Sequence, residues 1–197
     1  MKILAIADQE EKSLWDYYQP HALDDIDLIL SAGDLDPRYL SFLVTMAHCP
    51  LLYVHGNHDG QYDDIKPEGC YCIEDRIYDY NGVRILGLGG SIRYSQGQHQ
   101  YTQKQMEHRR RMMWRQLRKS GGFDILLTHS PAFGLGDDLN SVAHTGFNAF
   151  RTLMDRYHPR YLVHGHVHLN YGFKTPRWHK YGETKILNAF GQYIFDF

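Results

Sequence analysis

A chain of 197 residues with 43% hydrophobic and 22% charged residues has the composition of one soluble globular domain, here expected over 1–197, and is long enough to bury a full core. Its net charge of −2 removes any general electrostatic case for nucleic acid or a membrane surface as partner. Three cysteines, an odd number without metal-site spacing, fit free thiols in a reducing compartment rather than a disulfide framework.

The first apolar run, Lys2 to Ala7, meets Asp8 too early to serve as a signal segment, and no apolar stretch approaches the roughly 18 residues of a membrane span. The expected location is therefore the cytoplasm. Such a short continuous run reads as a strand buried on both faces. Residues 11–20 place Leu14, Trp15 and Tyr18 at helical spacing before Pro20. A second run, Asp27 to Leu30, leads into Gly33-Asp34. A helix face follows Pro37 (Leu40, Leu43, Val44, Ala47), and a third run, Leu51 to Val54, leads into Gly56-Asn57-His58-Asp59. This alternation predicts parallel βαβ units.

Tyr78 to Gly82 reads as a hairpin, and Val83 to Leu88 as a strand running into Gly89-Gly90-Ser91. A polar loop spans 92–101, and a helix over 102–119 opens with a Thr102/Gln105 capping box. That helix carries six basic residues from Arg109 to Lys119. Met106, Met113, Trp114 and Leu117 are expected to pack inward while the arginines line a solvated face. Asp124 to Thr128 is a strand delivering His129-Ser130-Pro131. The Gly- and Asp-rich loop 132–146 is long enough to be functional, and a helix spans 147–157. The strand 161–164 delivers Gly165-His166-Val167-His168, and the tail from 171 onward is expected to form antiparallel strands.

Five strands thus end in a polar residue able to bind metal: Asp8, Asp34, Asn57, His129, and His166 with His168. In open α/β sheets ligands bind outside the carboxyl ends of the strands, so five segments aim at one edge. Any one of them alone reads as a turn or cap residue. Carboxylates, an amide oxygen and imidazoles together suit two borderline divalent ions such as Mn, Fe or Zn.

Asp8, Gly33-Asp34, Gly56-Asn57-His58-Asp59, His129 and Gly165-His166-Val167-His168 occur in the order and at the spacing of the calcineurin-like metallophosphoesterases, which the chain resembles from residue 3 to about 170. Gly89-Gly90-Ser91, His144-Thr145-Gly146 and Asn170-Tyr171-Gly172 are similar to a branch with small, phosphodiesterase-like members. The resemblance implies an α/β fold, a four-layer α/β/β/α sandwich with mixed sheets and a dinuclear site at the carboxyl edge. One ion would take Asp8, Asp34 and His168. The other would share Asp34 and take Asn57, His129 and His166. It further implies hydrolysis of a phosphate mono- or diester by in-line attack of a metal-bridging hydroxide, with His58 protonating the leaving oxygen or stabilising transition-state charge.

One departure stands at the first motif, where the family has Asp-x-His and this chain has Asp8-Gln9-Glu10. A Glu10 carboxylate can still ligate, which would favour Mn or Fe; otherwise water fills that position. Asp59 either orients His58 or caps the next turn. Arg93 and His144 are candidates for substrate contact, or solvated loop residues. The expected partner is a small phosphate ester, with neither membrane nor nucleic acid. Two rival readings remain: a scaffold protein that keeps the fold without the chemistry, for which Glu10 is the sequence feature, and a nuclease, for which the arginine helix is.

Overall fold

The run KILAIA forms β1 (Lys2–Ala7) with its last five residues buried, in a computed structural model that describes residues 1–171 and 176–197. Gly172 of the third branch motif, and the first part of the expected antiparallel tail, lie outside those residues. Beside β1 run the parallel strands β2 (Leu28–Ser31), β3 (Leu51–Tyr53) and β4 (Tyr71–Cys72). On the other edge β13 (Gly191–Asp196) runs antiparallel, giving the order β13-β1-β2-β3-β4.

A second sheet combines β5 (Arg76–Tyr80), β6 (Val83–Leu88), β9 (Ile125–Thr128), β10 (Tyr161–His164), β11 (Trp178–Tyr181) and β12 (Thr184–Asn188). Their order is β11-β12-β10-β9-β6-β5. The short pair β7 (Ser91–Ile92) and β8 (Gln100–Tyr101) closes off the 92–101 loop.

Alternate residues explain the layering, because successive side chains of a strand point to opposite faces. Ile3, Ala5, Leu28 and Leu30 meet Ile85, Ile125, Leu127 and Val163 of the second sheet in one core. Leu4, Ile6 and Ile29 turn to the helix α1 (Pro37–Ala47), whose Leu40 and Leu43 cover them. On the outer face of the second sheet, Leu86, Leu126 and Leu162 pack under α2 (Gln103–Met112), α3 (Trp114–Ser120) and α4 (Asn148–Tyr157). The result is a four-layer α/β/β/α sandwich. Strands buried on both faces are apolar at most positions, which is why they read as near-continuous runs. The buried polar residues Ser31, Thr128, His164 and Asn188 stand at their carboxyl ends.

Several local expectations are corrected. Residues 11–20 form one 3₁₀ turn, Lys12–Leu14, and not a helix: the stretch is too short to sustain one, and no side chain caps it. The expected helix 102–119 opens with the Thr102/Gln105 capping box but breaks at Met113 into α2 and α3. The break shifts the phase of the apolar stripe, so that Met106, Met113 and Leu117 are buried while Trp114 is 54% exposed. The tail is mixed. β12 pairs antiparallel with β11 but parallel with β10, and β13 crosses to the first sheet.

The arginine run is divided as well. Arg109 is turned inward, where its guanidinium meets the Glu74 and Asp75 carboxylates and the Gly89 carbonyl and lies 4.5 Å from the Tyr101 ring centroid. Glu74 in turn accepts the amide N–H groups of His55 and Gly89, joining two strand ends behind the site. Burial pushes the Glu74 carboxyl up, yet the His55 bonds and the Arg109 charge outweigh it and hold it at about 2. Removing one partner strands a charge with little access to water, so Arg109→Met is expected to cost about 3–5 kcal/mol. A urea midpoint that drops at unchanged slope checks this, and a midpoint equal to the parent's overturns it.

Candidate metal centre

At the carboxyl edge of the sheets, the turns after β1, β2 and β10 each hold a non-glycine residue at positive φ: Asp8 (64°), Asp34 (59°) and His166 (68°). This left-handed region disfavours most side chains and is tolerated best by Asp, Asn and His. Each instance stores about 1–3 kcal/mol, and such strain gathers at functional sites. Here it turns three side chains to one edge. The close approach of these turns explains two glycines. A Cβ on Gly56 would run into the Asp34 carboxylate and backbone. One on Gly165 would lie 2.5 Å from both Ala7 Cβ and Asp8 Oδ2.

Asp8, Asp34 and His129 each present a ligand atom within 4.8 Å of the others. His129 Nε2 lies 3.0 Å from Asn57 Oδ1 and 3.4 Å from Asp34 Oδ2. His168 Nε2 is 3.8 Å from Asp8 Oδ1. Both Asp8 oxygens accept the His166 amide N–H, at 3.0 and 2.9 Å, and Asp34 Oδ1 accepts that of His58 at 2.7 Å. Asp8, Asp34, Asn57, His58, His166 and His168 all line one cleft of about 320 Å³.

The donor set of Asp8, Asp34 and His129 fits a divalent cation. A ligating histidine usually donates its other ring N–H to a carbonyl or carboxylate, which fixes the ring. His129 Nδ1 lies 2.8 Å from the Ala32 carbonyl, and His166 Nε2 lies 2.7 Å from the Ala143 carbonyl. His129 thus has Nδ1 engaged behind the site and Nε2 facing Asn57 and Asp34, while the Ala143 carbonyl, itself on the cleft wall, holds the His166 ring.

Without cations the electrostatics are lopsided. Burial, then the nearby Asp34 charge, pushes Asp59 up to about 6, and burial is also the main cause of Asp8 rising to about 7. Burial pulls His129 down, but the Asp34 and Asp8 carboxylates more than offset it and lift the imidazole to about 9. In Asp34 burial acts upward, yet the His129 charge and hydrogen bonds hold it at about 2. Burial and the neighbouring His129 charge keep His166 neutral, down at about 3. The protonated His129 thus supplies the positive charge that the carboxylates require. Metal ligation needs that ring deprotonated. Protons then compete below the His129 value, so apparent affinity for Mn(II) should rise with pH up to about 9, and uptake at pH 8 should release protons. Calorimetry in buffers of different ionisation enthalpy measures the release; uptake heats independent of buffer would refute it.

A family model described as calcineurin-like phosphoesterase matches residues 1–170. The chain belongs to that family. Among relatives, the chain is 26% identical over 207 residues to the UPF0046 protein C25E10.12 of Caenorhabditis elegans, covering 85% of the chain and 68% of the relative. It is 39% identical over 69 residues to the UPF0046 protein T07D4.2 of the same organism, a match spanning 34% of the chain but only 16% of that relative's length. In fold it is similar to TT1561 of Thermus thermophilus, at TM-score 0.62, 16% identity and coverage of 96% and 89% of the two chains. It is also similar to the Plasmodium protein GAP50, described as an anchor in the inner membrane complex, at TM-score 0.54, 11% identity and coverage of 95% and 70%.

The remaining candidate residues fall in different places. Glu10 Oε1 accepts the Asp36 amide N–H at 2.9 Å, and Asp36 itself caps α1 through the Arg38 amide. Asp59 Oδ2 accepts the amide N–H groups of Asp34 and Gly56 at 2.9 and 2.7 Å, which clamps two ligand loops together. The Arg93 guanidinium donates to the Gln100 carbonyl within its own loop. His144 stands on the rim, its ring 5.1 Å from that of His166.

Tyr94, which sequence reasoning passed over, also lines the cleft, with its hydroxyl 3.0 Å from Asn57 Nδ2. That contact orients the Asn57 amide so that Oδ1 faces His129. A tyrosine in a polar loop carries no periodic signal, so only the folded chain reveals it. No helix among the described residues is long and apolar enough to cross a membrane.

Proposed function

We propose that the protein is a metal-dependent phosphoesterase working with two divalent ions, Mn(II), Fe(II) or Zn(II). Asp8, Asp34 and His168 would hold one, and Asp34, Asn57, His129 and His166 the other. The observation that carries this reading is the convergence of Asp8, Asp34 and His129 within 4.8 Å, at the carboxyl ends of strands from both sheets. When bound, such a pair of ions lowers the pKa of a water and offsets the charge that develops on a phosphate ester.

The chain's own residues do the rest. Asp34 Oδ1 fixes the backbone of His58, which presents an exposed imidazole to the cleft for proton delivery to the leaving oxygen. The Ala32 and Ala143 carbonyls lock the rings of His129 and His166. Asp59 is assigned to holding the Asp34 and Gly56 loops rather than to orienting His58. The decisive experiment is metal analysis combined with hydrolysis of aryl phosphates: about two ions per chain and Mn(II)-stimulated turnover are expected, and no turnover on any mono- or diester refutes the reading.

Charge points to the ester class. Among the described residues no lysine or arginine lines the cleft. Two bound ions would offset the charge on two non-bridging oxygens of the ester, and no such side chain is there to meet the third one of a monoester, which in a diester is esterified and uncharged. A diester is therefore the favoured substrate, with kcat/KM for bis(nitrophenyl) phosphate expected about tenfold or more above that for the monoester, roughly 1.4 kcal/mol of transition-state preference. A monoester preference would reverse this assignment while leaving the metal chemistry intact.

One observation favours a non-catalytic binding protein. Glu10, standing where the family has a histidine ligand, spends an oxygen on the Asp36 amide. A chain that retains no ions under saturating Mn(II) would support that reading.

A further inference from the structure

On the opposite end of the second sheet lies a larger cavity of about 500 Å³, which nothing in the proposed hydrolysis uses. Its walls come from the end of α2, from α3 up to Gly121, and from the end of α4. α3 feeds into β9 and α4 into β10, so the cavity sits by the amino ends of those strands while His129 and His166 stand at their carboxyl ends. Arg110, Arg111, Arg118 and Arg156 line it, together with Trp114 and Tyr157.

We propose that this cavity is a second ligand site for a nucleotide carrying two or more phosphates. Four arginines around one cavity in a chain of net charge −2 are a local concentration that must be compensated. Glu107 is the one carboxylate paired with them among the described residues, bonding Arg110 and Arg111. Arg118 and Arg156 form no ion pair there and are exposed.

Helix ends account for part of the cluster, since cations are favoured where a helix stops. The free ends of α3 and α4 contribute roughly half a negative charge each, while α2 runs through Met113 into the start of α3 and leaves no free end. With Glu107 added, that still falls short of four guanidinium charges, so positive potential remains for an anion. Guanidinium forks match phosphate oxygens in bidentate geometry. A multiply charged phosphate chain uses several of them at once, whereas one carboxylate does not.

The second observation concerns the aromatic rings. Trp114 is 54% exposed on a helix whose other large apolar residues are buried, which costs the fold a place to hide its largest side chain. The Tyr157 ring is taken up by Arg156 and Phe123, each 5.5 Å from its centroid. The indole carries Arg115 at 5.3 Å on one side, so the exposed indole is the stacking face beside the guanidinium groups. Stacking on such a face does not depend on base identity. Phosphate forks next to a stacking surface recognise a nucleotide rather than inorganic phosphate. The volume falls within the roughly 300–1,000 Å³ of small-molecule sites, and the arginines ring one cavity rather than form a stripe, which favours a free nucleotide over a strand.

The test is equilibrium binding of ATP, of inorganic tripolyphosphate and of a short oligonucleotide to the full chain in EDTA, which keeps the metal centre out of the measurement. ATP is expected to saturate one site and to change tryptophan fluorescence. Arg118→Glu with Arg156→Glu, both at exposed positions away from the cleft, should weaken ATP and tripolyphosphate at least tenfold and leave metal uptake unchanged. Trp114→Ala should weaken ATP alone. No saturable ATP binding at millimolar concentration, or binding indifferent to the arginine pair, overturns the proposal. So does an oligonucleotide that binds far more tightly than ATP with a salt slope of several phosphates, since that is the mark of an extended strand surface.

Discussion

Asp34→Asn is expected to lower bound metal from about two ions per chain to one or none and to abolish turnover to the extent of roughly a thousandfold or more. Two ions supply several kcal/mol of transition-state charge stabilisation, and each 1.36 kcal/mol is a factor of ten in rate. The substitution is clean because Asn keeps the shape and tolerates the left-handed backbone at φ 59°. An amide oxygen can still accept the His58 N–H that Asp34 Oδ1 now accepts. What disappears is the charge facing His129, the strongest influence lifting that imidazole against burial. The variant should therefore also lose most of the proton release on metal uptake. Full metal content with full activity in Asp34→Asn would remove the shared ligand from the scheme, and with it the dinuclear reading.

The residues around Asp34 show why so much of this centre is visible before folding. A strand buried on both faces reads as a short apolar run, so the ionisable residue just beyond it stands out even where the strand closes on a buried Ser31 or Thr128; Asp8, Asp34 and His129 were legible for that reason. Their glycine neighbours were legible too, because the turns pack so closely that Gly56 and Gly165 have no room for a Cβ.

Groups placed by long-range partners were hidden. Arg109 sits in a basic run that reads as solvated, and its acids lie about 35 residues away in sequence. Tyr94 is aimed by a loop whose turn depends on the Gln100 side chain accepting the Tyr94 and Ser95 amides. Trp114 is exposed by a helix break that no glycine or proline announces. The competence of Glu10 as a ligand was a chemical argument; its bond to the Asp36 amide depends on where α1 begins.

His58→Ala separates chemistry from assembly. The bond that ties residue 58 to Asp34 comes from the backbone N–H and survives the substitution. Asn57 keeps its orientation through Tyr94 and His129. Metal content should therefore stay at the parent level while kcat falls. General acid catalysis is worth about 10²–10⁴ in rate, and the loss should depend on the leaving group. An alkyl ester expels a basic alkoxide that must be protonated, so it should suffer most of that factor. A nitrophenyl ester expels a stable anion and should suffer far less. Equal losses on both esters would instead assign the imidazole to charge stabilisation at the phosphoryl oxygens. An unchanged kcat on both, at full metal content, would remove His58 from the reaction.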